Sequence, residues 1–159
     1  MASEIRTILD QFEAVHVKSA WYGKPAMELF GEVDEAMVYQ RPNNNSHSLI
    51  DLLYHMITWQ EFTLRRLKRI KEDNPADIEK LDWRGIDPAV HTWKRGLEEF
   101  ESTFRGIRDF LQIAPDSLLE ETVDYRDYNF RELLNGIVQH NIYHLGQVAY
   151  VHKLLKQGD

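Results

Sequence analysis

The residues best suited to chemistry in this chain are its histidines. There are seven, His16, His47, His55, His91, His140, His144 and His152, and no cysteine. The missing cysteines exclude a thiol nucleophile, a thiolate metal site and a disulfide framework. His140 and His144 stand four residues apart. On a helix that spacing sends both imidazoles to one side, about 5–6 Å apart at Cβ, as when two histidines share a metal ion. Two imidazoles seldom hold a metal alone, and His55, from a separate segment, is the candidate third ligand. Three nitrogens leave a coordination position open for water or substrate, whereas structural zinc sites are closed. The plainer alternative is a solvent-facing or hydrogen-bonded histidine pair and, for His55, a half-buried satisfied imidazole. His16, His47, His91 and His152 have no partner at ligand spacing and read as surface or packing residues.

Two related motifs fail. His140-Asn141-Ile142-Tyr143-His144 has asparagine where a zinc protease carries its glutamate base. Glu13-Ala14-Val15-His16 supplies one Glu-x-x-His element, but a di-iron bundle needs two such elements and two further glutamates. No glycine-rich phosphate loop and no GxSxG turn is present.

Four amphipathic helices must position these residues. The first is expected from Ser3 to Ser19, with Ile5, Ile8, Leu9, Phe12 and Val15 at helical spacing and Gly23 and Pro25 beyond its end. A long connection follows, with one helical turn expected near Asp34 to Met37. The second helix starts at Ser46 or Ser48, the latter with Asp51 at capping-box spacing. Its stripe is Leu49, Leu52, Leu53, Met56, Trp59, Thr63, Leu64 and Leu67, and Asp73-Asn74-Pro75 ends it. The third is expected to begin at Asp87 and Pro88, as N-cap and first helical residue, and to close before Pro115. The fourth runs from Asn129 to Leu155, with Gly158 beyond it. Drawn at about 100° per residue, its stripe contains His144, with His140 on the flank.

His55 lies at the edge of the second stripe, and Trp59, one turn on, can wall a pocket beside it. The remaining tryptophans, Trp21, Trp83 and Trp93, read mostly as packing. Tyr54, Tyr143 and Tyr150 are expected to face away from the stripes, where grouped tyrosines suit a dimer surface. Four such helices pack as a bundle. The fold class is therefore all-α, as one domain over residues 1–159, which matches roughly 150 residues per domain.

Composition narrows the partners. Hydrophobic residues are 43% and charged residues 28%, which excludes a disordered or collagen-like chain. The net charge of −7 repels phosphate backbones, so no nucleic acid is expected. No apolar run reaches the roughly 18 residues of a membrane span. Glu4, Asp10 and Glu13 near the start are unlike a secretory signal, so a cytoplasmic location is expected.

The run His140-Asn-Ile-Tyr-His144-Leu-Gly146-Gln147 resembles the His-x-x-x-His-x-Gly-Gln signature of the DinB/YfiT-like family of metal-binding four-helix bundles. Ser48-Leu-Ile-Asp-Leu-Leu-Tyr-His55 resembles that family's first motif, in which a helix opens on serine and places a histidine two turns in. The resemblance covers nearly the whole chain. It implies a long crossover between helices 1 and 2, a divalent metal held by His55, His140 and His144, and a homodimer. It also implies a transferase or isomerase that uses a low-molecular-weight thiol such as bacillithiol, mycothiol or glutathione.

The expected function is thus that of a metal-dependent enzyme acting on a small molecule, with thiol S-transfer as the specific chemistry and metal-assisted hydrolysis as a variant. A metal-bound water or thiol, rather than a side chain, would be the reacting group. Zinc or nickel is the expected metal, and iron also suits imidazole. Gln147, three residues after His144, is a candidate partner for a metal ligand. The alternatives are a non-catalytic metal-binding or stress-response module, and a helical interaction protein without metal.

Overall fold

The computed structural model describes residues 3–71 and 74–157. Four helices form the bundle: α1 (Glu4–His16), α3 (Leu49–Leu67), α5 (Trp93–Ile113) and α6 (Phe130–Gln157). Two short helices, α2 (Ala26–Gly31) and α4 (Pro75–Glu79), lie in the connections, and no strand is present among the described residues. The two residues Asp73 and Gly158, expected to mark helix ends, lie outside the described residues.

Local chemistry fixes the ends of the site-bearing helices. Ser48 caps α3 by accepting from the Asp51 amide, and Asp51 returns the bond from the Ser48 amide, so both halves of the capping box are present. At the start of α6 the Glu132 amide donates to Asn129 Oδ1 at 3.1 Å. Apolar side chains of all four helices close one core, with Leu9, Phe12, Leu53, Phe100, Phe130 and Val148 essentially inaccessible. Each such burial contributes about 1.5–3 kcal/mol.

Both α1 and α3 pack on α5 and α6, so α1 and α3 occupy opposite corners. The connection 17–48 therefore crosses the bundle diagonal, as the long crossover requires. α5 runs parallel to α3: Gly96 lies against Leu53, and Gly106 against Leu64. A Cβ on Gly96 would sit 2.7 Å from Leu53 Cδ2, so glycine permits this close approach. α6 runs antiparallel to α3, with His140 and His144 level with His55 and Leu133 level with Phe62.

Parallel α3 and α5 oblige residues 68–92 to return along the bundle before α5 can start. This return segment lies on α3. The Thr58 hydroxyl donates to the Leu81 carbonyl at 3.2 Å, and the Tyr54 hydroxyl donates to the Thr92 carbonyl at 3.3 Å. It begins at Arg69, whose φ of 54° turns the chain out of α3.

Several boundaries differ from the sequence expectation. α1 stops at His16, not Ser19, because the Val17 and Lys18 amides both fold back onto the Glu13 carbonyl. α2 was not expected; six residues are too few for periodicity to show, yet it buries Phe30 edge-on against Trp93 and Phe100. α3 ends at Leu67, well before Asn74, which instead caps α4. α5 begins at Trp93 with Thr92 as N-cap, not at Asp87. Asp87 and Pro88 form a closed turn: Asp87 accepts from Ala89 through its side chain and from His91 through its carbonyl. Tyr54 is buried rather than outward-facing, while Tyr143 and Tyr150 are exposed. Trp21, read as packing, is fully exposed. Among the described residues no helix is long and apolar enough to cross a membrane.

Candidate metal centre

His55 projects from the second turn of α3, and His140 and His144 from successive turns of α6. Antiparallel packing of the two helices brings the three rings together. His55 Nε2 lies 2.9 Å from His144 Nε2 and 3.0 Å from His140 Nε2. One ligand atom from each residue falls within 4.8 Å of the others. His55 and His144 are buried, and His140 is half-buried.

The outer nitrogens decide what the inner ones can do. His55 Nδ1 lies 2.7 Å from Asp82 Oδ1, and His144 Nδ1 lies 2.6 Å from Gln147 Oε1. Both facing atoms are acceptors, so each Nδ1 carries the proton and each Nε2 presents a lone pair. Two lone pairs 2.9 Å apart repel, and a cation between them removes the conflict. Two nitrogens each about 2.1 Å from a shared ion are separated by about 3.0 Å at a right angle and about 3.4 Å at a tetrahedral angle. The observed separations fit the lower of these, so the three residues can hold a metal ion.

Burial keeps the imidazoles neutral, as ligation requires. His55 and His144 are held below the usual histidine range by desolvation, against the opposing pull of Asp82 on His55 and Gln147 on His144. His140 is pushed down to about 3, by burial first and then by the other two imidazoles. Its Nδ1 is buried without a hydrogen-bond partner among the described residues.

The fold and the motifs now agree with a wider comparison, in which residues 25–148 match the sequence profile of the DinB superfamily. The chain belongs to the DinB superfamily. Among curated proteins none matches it. The DinB match spans α2 to most of α6 and so contains every residue of the histidine cluster.

Of the residues singled out from sequence, Trp59 and Gln147 both reach this cluster. The Trp59 indole lies 6.3 Å from the His140 ring, and Gln147 meets His144 directly. Sequence reasoning missed Asp82 and treated Trp83 as packing. Trp83 stacks between His55 and His47, 3.8 Å from each ring and nearly parallel to both. It shields one face of a cluster histidine, and it gives exposed His47 a partner in this DinB chain. Asp82 also accepts from the Trp59 indole N–H at 2.7 Å. A tryptophan beside an aspartate in a polar connection, belonging to no helical stripe, was the available signal.

His16 and His152 are buried in the core, away from the cluster, and His91 accepts from the Asp87 amide.

Proposed function

We propose that this DinB-superfamily chain holds a divalent metal ion through His55, His140 and His144 and uses it in chemistry on a small molecule. The observation that carries this reading is the convergence of three neutral Nε2 atoms, two of them fixed in the ligating tautomer by Asp82 and Gln147. Zinc and nickel suit an all-imidazole set, and iron is compatible with it. Such an ion, when bound, acts as a Lewis acid that lowers the pKa of a coordinated water or thiol.

The protein's own residues supply the rest. The histidines fix the position of the ion, Asp82 and Gln147 fix the rings, and Trp83 screens His55 from solvent. His140 opens onto a trough that admits a small molecule. The trough touches the cluster through His140, and open space beside a ligand favours chemistry over a sealed, structural site. The chain has no cysteine, so in thiol transfer the nucleophilic sulfur would come from a low-molecular-weight thiol cosubstrate. In the transfer, the thiol proton passes to solvent, a sulfur–carbon bond forms, and the leaving group departs with its electron pair.

The test is conjugation of glutathione or bacillithiol to 1-chloro-2,4-dinitrobenzene by zinc- or nickel-loaded protein, read beside metal content. Loss of both in His144→Ala supports the reading. Conjugation by rigorously metal-free protein refutes it. A homodimer built on exposed Tyr143 and Tyr150 is part of the same proposal, checked by sedimentation velocity.

A further inference from the structure

Beside the histidine cluster, the groove between α3 and α6 widens into a trough of about 340 Å³. Trp59 and Phe62 of α3 form one wall, Leu133 and Ile137 of α6 the other, and Tyr128 completes the lining. This size is at the lower end for small-molecule sites. The His140 ring ends the trough and also contributes Nε2 to the cluster.

Two features shape this space. Trp59 is clamped: its N–H donates to Asp82, and its ring meets Phe62 at 5.5 Å and a steep angle. The indole wall is therefore preorganised. Gly136, one helical turn before His140, is an exposed part of the lining, where an added Cβ would meet nothing within 4 Å. A glycine inside a long helix costs about 1 kcal/mol relative to alanine. No close helix contact requires it here, unlike Gly96, and it leaves this part of the lining without a side chain.

We propose that this trough seats an uncharged aromatic ring of the substrate, with the substrate's polar reacting group directed to the cluster. The chemistry of the walls selects the occupant. Three aromatic side chains offer faces and edges to a ring. Glu132, the one carboxylate on the trough among the described residues, lies exposed on the helical row of Gly136 and His140 and disfavours an anionic substituent. This substrate class rests on the reading that the three histidines hold the metal.

The test loads the full chain with zinc and compares 2-phenylethanethiol with ethanethiol. Wild-type protein should bind the aryl thiol about tenfold more tightly or better, as expected for burial of one ring. Gly136→Leu fills the trough beside the His140 ring, so zinc content is read on the variant itself. It should erase the preference, read as the ratio of the two affinities in zinc-loaded variant, and Gly136→Ala should lower that ratio by a smaller factor. Equal affinity for the two thiols in the wild type, or a preference that survives Gly136→Leu, overturns the proposal. Ethylbenzene, which cannot ligate a metal, separates this claim from the metal reading by saturation-transfer NMR on metal-free protein. Binding that disappears in Gly136→Leu supports the trough even if zinc does not bind. A protein that takes zinc but no ethylbenzene retains the metal site and loses the trough.

Discussion

Asp82 Oδ1 lies 2.7 Å from His55 Nδ1. The same oxygen accepts from Trp59 Nε1, so one carboxylate in the return segment orients both a cluster histidine and the wall of the adjoining trough. A carboxylate behind a histidine fixes its tautomer and raises its basicity as a ligand.

Asp82→Ala should therefore weaken zinc binding by about 10- to 100-fold, the usual cost of losing an orienting partner. It should also free the Trp59 indole and shift the tryptophan emission. Competition against a chromophoric chelator measures the first effect and fluorescence the second. Unchanged affinity would remove Asp82 from the account.

Metal binding to the folded chain alone should raise the melting temperature. At a hundredfold excess of free zinc over Kd the gain is about 2.7 kcal/mol. Calorimetry with zinc and then with EDTA measures it. His140→Ala should show no such gain.

Gln147→Leu tests the other tautomer lock. Its loss leaves His144 Nδ1 free to exchange protons with Nε2. Zinc affinity should fall, while the melting temperature in EDTA changes little, because Gln147 is only half-buried. A wild-type affinity in the variant would show that His144 needs no orienting partner.

The bundle and the cluster histidines were legible because their signals are local and periodic. Ser48 with Asp51 marked the start of α3, Asn129 with Glu132 marked α6, and the four-residue step from His140 to His144 follows the helix itself. Asp82 and Trp83 were illegible because they reach the site by topology. Only the parallel course of α3 and α5 lays residues 68–92 along α3, and no spacing in the sequence encodes that. Tyr54 misled for the same reason. Its outward position on α3 is covered by the N-terminus of α5, where its hydroxyl meets the Thr92 carbonyl. Asp87 and Pro88 satisfy the rules for a helix start and a tight turn equally well, and closure onto His91 made the turn.

A separate prediction concerns the core. His16 is stacked among Phe12, Phe100 and Phe104, donates from Nδ1 to the Phe12 carbonyl at 2.8 Å, and meets Gln60 across the bundle. Desolvation pushes its pKa down to about 4, from 6.5 in the unfolded chain. Between those values the unfolded state binds the extra proton. The stability gained by burying neutral His16 is therefore complete above about pH 6.5 and is lost as the pH falls towards 4, a change on the order of 3 kcal/mol. Urea melts in EDTA across this range measure it. His16→Phe should make the profile less steep by about that amount, leaving the share of His140 and the other lowered histidines, and an equally steep profile in that variant would assign the whole dependence to them.

The central claim is that His55, His140 and His144 hold one divalent ion. Elemental analysis after zinc loading and exhaustive dialysis tests it most directly, on the wild type, on each of the three single alanine variants, and on His47→Ala as a control outside the cluster. The account predicts one ion per chain in the wild type and in His47→Ala, and loss of the ion in each of the other three. Zinc-free wild-type protein, or full occupancy in His144→Ala, would contradict it.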